Sequence, residues 1–207
     1  MKFIKFLVIL GLFSGFSSVS VAQNTVLKSM SISPYETHIR NNADFGVGHA
    51  PFGGLGGIIM PDPNNNNFGR SDFSMGFTLP EDYVPGSNLT LRILWRSDAT
   101  NECNIDFRHN FLHWAQPGQE TKTGQSQVGG LLKPSGVTKM VNERLIPIIH
   151  SEQPNFEPGD AISNGFFRTE NYDTCSENLY ILGLSVLYEG YVYADLSDII
   201  FKNGFEV

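Results

Sequence analysis

The chain is short of basic residues and has no run of them. It holds 14 Lys and Arg against 21 Asp and Glu in 207 residues, which gives a formal net charge of −7. Binding to a phosphate backbone depends on clustered cations. The sequence therefore predicts no nucleic-acid partner, and the acidic balance by itself points to no other partner.

Long apolar runs are also missing, except for one at the N-terminus. Two lysines precede the apolar stretch 6–13, and the small residues of 20–22 follow it. This is the pattern of a cleaved secretory signal peptide. We therefore predict a signal peptide over 1–22 and a mature chain from Gln23 without a membrane span, with a net charge of −9 because two cations are removed. The predicted location is secreted, periplasmic or cell surface; an uncleaved anchor is the alternative.

Cysteine is rare: Cys103 and Cys175 are the only two. Neither lies in a Cys-x-x-Cys motif, and the spacing of a four-ligand zinc site is absent, which argues against redox and zinc chemistry. In an exported protein the default is a disulfide between the two. It would close a loop of 73 residues, counted inclusively, and stabilise the fold by about 4 kcal/mol. Two separate thiols are the alternative.

Motifs for catalysis and cofactor binding are lacking as well. His109 and His113 have the spacing of a helical metal pair, but on a strand that spacing separates them by about 13 Å. The stretch 124–128, GQSQV, lacks the last glycine of a serine-hydrolase motif. The glycines of 46–57 do not match a dinucleotide motif. The sequence therefore predicts no cofactor and no metal site.

Two further options for chemistry stay open. Pairs of acids in turns are what glycoside hydrolysis requires, and oxygen ligands alternate in the Asn-rich stretch as in a calcium loop, although Phe73 takes the place of the final glutamate. The acid pairs are Glu81 with Asp82 and Glu170 with Asp173, and the calcium ligands would be Asp62, Asn64 and Asn66. Solvated turn acids and a plain Asn-rich loop are the alternatives, and an enzyme is not predicted.

Helical periodicity is absent, whereas alternation with a period of two recurs between turn signals. The clearest case is 70–96, which we interpret as two strands joined in a hairpin by a turn at Pro85 and Gly86. If Ile105 and Phe107 of the next strand face the core, so does His109, unless a bulge at Asn110 resets the alternation. The other predicted strands are 26–32, 55–60, 103–115, 137–149, 160–169 and 179–193, the last with Tyr180, Leu182, Leu184, Val186 and Tyr188 on one face.

Short strands separated by turns predict an all-β protein, an antiparallel β-sandwich of the jelly-roll type. We expect one domain over 23–194, with a long surface loop at 41–69 and a C-terminal tail at 195–207. The polar, Gly-rich stretch 116–136 is predicted to be a second loop.

Three segments carry a resemblance to a known group of domains. They are FSMGFTLPEDYVPGSNLTLRILWRSDAT, FEPGDAISNGFFRTENYDTC and ENLYILGLSVLYE. They resemble jelly-roll domains of phage and virus-like structural proteins and of related bacterial exported proteins. The matching residues are Leu79, Pro80, Tyr83, Pro85, Gly86, Ser87, Trp95, Pro158, Gly159, Asp160, Arg168, Asp173, Thr174 and Tyr188. The resemblance implies a fold; the signal segment and the cysteines depart from a capsid or tail role.

The C-terminal segment 198–206, DIIFKNGFE, resembles a short Ile-Phe-x-x-Gly-Phe-Glu ending found on exported proteins of Gram-negative bacteria. An Asn-Gly pair is a strong turn signal. We therefore predict a tail presented for recognition, and a tail folded back onto the sandwich is the alternative. Its residues would be Phe201, Asn203, Gly204, Phe205 and Glu206.

Aromatic residues are plentiful, with 16 Phe, 7 Tyr and 2 Trp. Four of them are predicted to be exposed and are candidate ligand-binding residues, because a flat ring beside amide groups stacks on sugars: Trp114, Tyr172, Tyr191 and Tyr193. Packing of Trp114 under the following loop is the alternative. The predicted function is an exported, non-enzymatic module with a structural or adhesive role and a cell-surface glycan or protein as partner. A carbohydrate-binding module is the alternative, and a glycoside-acting hydrolase comes third.

Overall fold

The structure is a computed structural model that describes residues 24–34, 37–39, 48–52, 55–65, 70–116, 118–148 and 156–192. Within these ranges the backbone alone is described at 39, 48–52, 55–56, 110–112 and 122–129. The described strands are β1 (Thr25–Ile32), β2 (His38–Ile39), β3 (Gly48–Phe52), β4 (Leu55–Met60), β5 (Arg70–Thr78), β6 (Leu89–Ser97), β7 (Ile105–Ala115), β8 (Lys122–Leu132), β9 (Asn142–Ile148), β10 (Ala161–Thr169) and β11 (Leu179–Tyr191). A 3-10 turn at Pro63–Asn65 lies between β4 and β5.

The strands form two antiparallel sheets. One, termed the β6/β11 sheet, has the order β3-β4-β11-β6-β9, and β1 also pairs with β11. The other, termed the β5/β10 sheet, has the order β2-β5-β10-β7-β8. The predicted all-β antiparallel sandwich is therefore confirmed.

The core lies between the two sheets and follows the alternation of their strands. The buried apolar residues of β6 are Leu89, Leu91, Ile93 and Trp95. On the inner face of the β5/β10 sheet, the Phe166 ring of β10 lies 5.2 Å from the ring of Phe73 in β5 and 5.9 Å from that of Phe107 in β7. These stacked rings form part of the contribution of that sheet to the core.

The hairpin predicted over 70–96 is wrong, because β5 and β6 lie in different sheets. β5 pairs with β10 and β2, whereas β6 pairs with β11 and β9. The chain crosses between the sheets in 79–88, where the fully buried Tyr83 donates a hydrogen bond to the Ser87 carbonyl at 2.6 Å. Alternation identifies the buried face of a strand, and two facing strands of a sandwich show the same pattern as a hairpin.

A bulge in β7 changes which of its residues face the core. The pairing register with β8 shifts between His109 and Phe111, the position at which a reset was considered. His109 is buried before the shift, and Trp114 is buried after it. Without the shift these two residues, five apart, would lie on opposite faces.

A second bulge, in β11, makes the predicted single face of that strand wrong. The pairing with β6 shifts between Ile181 and Gly183. The buried apolar residues are Leu179 and Ile181 before the shift and Leu184, Val186 and Tyr188 after it. Tyr180 and Leu182 are half-buried, because the extra residue moves them out of the alternation that continues from Leu184.

Two stretches predicted to be loops each contain a strand that their polar, Gly-rich composition did not indicate. The stretch 116–136 contains β8, which pairs with β7 at the edge of its sheet. The stretch 41–69 contains β3, which pairs with the predicted strand 55–60, observed as β4. Backbone hydrogen bonds can hold a polar, Gly-rich edge strand without apolar side chains. The strand predicted at 137–149 is shorter and is observed as β9.

Cys103 and Cys175 form a disulfide, as predicted, with their Cα atoms 5.2 Å apart. It joins the segment before β7 to the segment before β11. Beside it, Arg168 and Asp173 form an ion pair whose side chains are completely buried. The two cross-links lie side by side, since the Arg168 Nη2 donates to the carbonyl of Cys175 at 2.6 Å.

Stability should fall in mildly acidic solution because His109 is buried in its neutral form. Its Nε2 lies 2.7 Å from Asn164 Oδ1, and Nδ1 has no partner among the described residues. Burial lowers the pKa of His109, and the Asn164 hydrogen bond opposes this effect. Below the ordinary value of about 6.5 the unfolded chain therefore binds a proton that the folded chain does not, and the free energy of unfolding should fall by up to about 1.4 kcal/mol per pH unit.

Urea unfolding measured between neutral pH and about pH 5.5 tests this expectation, with His109→Gln predicted to flatten the dependence on pH. His113→Gln is the matched control, since His113 lies in the same strand but is only half-buried. Asp82 does not interfere, because the hydrogen bond from Lys28 lowers the pKa of Asp82 below its ordinary range. An equal slope in wild type and His109→Gln would contradict the assignment.

Candidate functional site

Two adjoining cavities lie on the outer face of the β5/β10 sheet and are together termed the cleft. One has a volume of about 300 Å³ and is lined by Arg70, Asp72, Ser74 and Phe167, among others. The second has a volume of about 470 Å³ and is lined by Gly76, Thr78, Thr121 and Ala161, among others. His113 and Ser163 line both.

The alternation of β5 and β10 explains why these side chains point outward. In β10 the alternate residues Ile162, Asn164, Phe166 and Arg168 are buried, so Ser163, Gly165 and Phe167 face solvent. In the same way, burial of Phe73 and Met75 turns Asp72 and Ser74 of β5 outward. The register places Asp72 opposite Phe167, and Phe167 opposite Arg108 of β7.

Small side chains form the floor of the cleft. The central strand β10 presents Ala161, Ser163 and Gly165 in succession before Phe167. In neighbouring β5, a Cβ built on Gly76 would meet only the Ile162 carbonyl oxygen, at an ordinary 3.6 Å. The floor is therefore low along the strand and rises at the Phe167 ring. Its length from residue 161 to 167 is about 20 Å at the usual rise per residue.

Charged groups meet an aromatic ring at this raised end. The Arg70 guanidinium lies 5.1 Å from the centre of the Phe167 ring, and its Nη2 is 2.5 Å from Asp72 Oδ2. Asp72 is only 5% exposed, and its other oxygen, Oδ1, has no hydrogen-bond partner among the described residues. A buried acceptor of this kind is costly unless a donor reaches it.

The opposite side of Phe167 carries a second pair of charges. Arg108 donates two hydrogen bonds to Asp106, from Nε to Oδ1 at 2.9 Å and from Nη2 to Oδ2 at 2.7 Å. These hydrogen bonds raise the pKa of Arg108. The same guanidinium lies 5.7 Å from the ring of Tyr172, which is 65% exposed in the turn after β10. Tyr172 therefore extends the aromatic surface beyond Phe167.

The four aromatic residues predicted to bind a ligand do not come together. Tyr172 is exposed next to Arg108, as expected. The expected exposure of Trp114 is wrong: it is 6% exposed and its ring packs edge-on against Phe156 at 6.2 Å, because the β7 bulge turns it inward. Trp114 nevertheless lines the second cavity of the cleft. Tyr191 is half-buried at the end of β11 in the other sheet. Tyr193 lies outside the described residues, as do the predicted signal peptide and the predicted recognition tail.

Sequence reasoning missed most residues of the cleft, although two local signals point to it. Oppositely charged residues stand two apart at 70 and 72 and again at 106 and 108, so each pair shares one face of its strand. The Phe166 and Phe167 pair cannot face the core with both rings, so one of them must point outward. The sequence pattern of a single strand does not reveal the pairing register between strands, and that register is what brings these residues together.

Three of the carboxylates considered for catalysis and for calcium binding make structural contacts, whereas Glu81 and Glu170 are exposed. Asp82 forms an ion pair with Lys28, and Asp173 is buried against Arg168. Asp62 accepts hydrogen bonds from the Asn64 backbone and side chain at 3.0 and 2.9 Å and from the Asn65 side chain at 3.0 Å, which holds the 3-10 turn in place. Within the described ranges, no three His, Cys, Asp or Glu residues are grouped so as to hold a metal ion.

The structure is similar to several solved carbohydrate-binding modules. A family 35 module from Clostridium thermocellum is 13% identical, with a TM-score of 0.43, over 77% of this chain and 97% of that one. The xylan-binding CBM22-1 domain from Paenibacillus barcinonensis is 11% identical, with a TM-score of 0.38, over 84% and 100%. A CBM27-1 module from Caldicellulosiruptor saccharolyticus, solved with mannohexaose, is 9% identical, with a TM-score of 0.41, over 76% and 96%.

These identities are too low for any residue of the cleft to be carried over from those proteins. No model of a known protein family matches the sequence, and a search of curated proteins finds no match. In the part of the chain that the structure describes, no helix is long and apolar enough to cross a membrane.

Proposed function

We propose that the chain is a non-catalytic carbohydrate-binding module that holds a glycan in the cleft. One observation carries the proposal: a floor of small residues leads to an aromatic ring that lies beside a buried acceptor for which the described residues supply no donor. Sugars offer an apolar C–H face to a ring and hydroxyl donors to a carboxylate. A few placed polar groups in a mostly apolar concavity are typical of small-ligand sites.

Three contacts of the cleft have separate roles in this proposal. Phe167 supplies the stacking surface, and the Arg70 guanidinium above it holds the ring in place. Asp72 Oδ1 accepts a hydroxyl. Tyr172, which the sequence already singled out, adds a second ring at the rim and contacts the units of a longer chain.

Affinity electrophoresis of the purified protein through gels that contain neutral soluble polysaccharides tests the proposal. We expect retarded migration in at least one of them. Phe167→Ala should weaken that binding by about tenfold, because it removes a stacking contact of about 1–1.5 kcal/mol. Ser163→Trp should abolish it by filling the floor shared by both cavities.

The outer face of the β6/β11 sheet offers a matched control. There the Arg96 guanidinium lies 4.6 Å from the Tyr180 ring, the same type of stack on the opposite side of the molecule. Tyr180→Ala should leave glycan binding unchanged. Equal losses for Phe167→Ala and Tyr180→Ala, or no retardation of wild type by any polysaccharide, would contradict the proposal.

The structural or adhesive role predicted from the sequence is compatible with this function, because an exported module that holds a surface glycan is adhesive in effect. Export depends on the predicted signal peptide at 1–22. The domain boundaries at 23 and 194 and the recognition tail are further proposals. Deletion of 195–207 with measurement of secretion and surface retention tests the tail.

A further inference from the structure

We propose that the cleft selects uncharged glycan chains over chains that carry carboxylate or sulfate groups, and that Asp72 is the residue that imposes this choice. The inference rests on the proposed function and adds to it the class of ligand. It follows from the pairing of charged residues around Phe167 and from Asp72 Oδ1, which has no hydrogen-bond partner among the described residues.

The cations of the cleft are already neutralised by protein carboxylates. Arg70 is paired with Asp72, and Arg108 with Asp106 through two hydrogen bonds. The residues that line the second cavity include no Lys, Arg, Asp or Glu. A guanidinium that holds a carboxylate in this way has little attraction left for a second anion. Apart from the histidines His38 and His113, the basic residues described at the cleft are therefore already paired with a protein carboxylate.

The free oxygen of Asp72 makes anionic ligands unfavourable as well. An ionised carboxylate only accepts hydrogen bonds. Asp72 lines the cleft and is 5% exposed, and its buried Oδ1 has no hydrogen-bond partner among the described residues. A sugar hydroxyl can donate to it and form a charge-assisted hydrogen bond. A uronate or sulfate group at the same place offers only acceptors, so Asp72 Oδ1 stays without a donor.

Calorimetric titration of the full protein with pairs of oligosaccharides of equal length tests the inference. Neutral xylo-, manno-, gluco- and galacto-oligosaccharides are compared with oligogalacturonate and oligomannuronate, near neutral pH and at physiological ionic strength. We expect the affinity for the best neutral ligand to be at least about tenfold higher than the affinity for either uronate.

Asp72→Asn tests the assigned residue, since it keeps the shape of the side chain but removes its charge and leaves Arg70 without a counter-charge. Affinity for the neutral ligand should fall by about tenfold, and affinity for uronate should rise. Glu143→Gln is the matched control: Glu143 also pairs with an arginine, Arg92, but both are exposed on the other sheet. That variant changes the total charge equally and should alter neither affinity.

The outcomes separate this inference from the proposed function. Wild-type protein that binds uronates as tightly as neutral chains would overturn the selectivity while glycan binding stands. Wild-type protein that binds no glycan would overturn both. Unchanged affinities in a folded Asp72→Asn variant would remove Asp72 as the selecting residue, and the wild-type comparison does not depend on how that variant folds.

Discussion

Replacing Asp173 with alanine is expected to lower the free energy of unfolding by about 3–5 kcal/mol. The variant leaves the Arg168 guanidinium completely buried with no counter-charge. In the intact protein Arg168 donates to both oxygens of Asp173, from Nε at 2.6 Å and from Nη2 at 2.9 Å. Removing one partner of such a pair leaves the other charge buried without compensation, and the unfavourable desolvation of that charge destabilises the folded state.

The ion pair is also a junction between segments that are distant in sequence. Arg168 donates to the carbonyl groups of Met60, Cys175 and Glu177 at 3.2, 2.6 and 2.7 Å. Asp173 accepts from the backbone N–H of Asp106 at 3.2 Å. Because the side chain of Asp106 holds Arg108 at the rim of the cleft, the junction fixes one side of the candidate site.

Chemical denaturation of Asp173→Ala, Arg168→Ala and the double variant measures the effect. The double variant should cost much less than the sum of the single variants, since each single change already leaves the other group unpaired. Glu143→Ala, which breaks an exposed ion pair with Arg92, should cost no more than about 1 kcal/mol. Additive losses in the double variant would contradict this account.

The sequence predicts which faces of the strands are buried better than it predicts which strands are paired. The alternation in 70–96 correctly placed Phe73, Met75 and the apolar residues of β6 in the core. It did not separate a hairpin from two facing sheets, because hydrophobic alternation is a property of one strand and pairing is a property of two. Pairing between β5 and β10 joins residues about ninety positions apart.

Bulges and edge strands account for the other errors in the fold. One extra residue in β7 reverses the orientation of Trp114. The sequence around Asn110 allows this bulge but does not require it. β8 carries glycine and polar residues and is held by backbone bonds to β7. A method that relies on apolar side chains cannot detect a strand of that type.

The candidate site was hidden by the same limitation. Asp72, Phe167 and Arg108 lie on three strands and become neighbours only through the register of β5, β10 and β7. Of the aromatic residues predicted from the sequence to bind a ligand, Tyr172 lies beside the cleft and Trp114 lines its second cavity from a buried position. Arg168 and Asp173 were recognised as architectural through a resemblance, but their contacts depend on the tertiary fold.

Loss of the disulfide is expected to lower the free energy of unfolding by about 2–5 kcal/mol. The bond links residues 72 positions apart and therefore restricts a large part of the unfolded chain. In the folded protein Cys175 is held independently: its N–H donates to Asp173 Oδ1 at 3.0 Å, and its carbonyl accepts from Arg168 at 2.6 Å. The disulfide should therefore act mainly on the unfolded state, and the cleft should keep its shape without it.

Three measurements on a Cys103→Ala/Cys175→Ala variant distinguish this account from one in which the disulfide shapes the folded protein. The denaturant dependence of unfolding should become steeper, because an unfolded chain without the cross-link exposes more surface. Reductant should destabilise wild type but not the variant. Glycan affinity should stay within about twofold of wild type, less than 0.5 kcal/mol. A loss of affinity without a change in the denaturant slope would show instead that the cross-link positions the rim of the cleft, through Asp173 and Asp106.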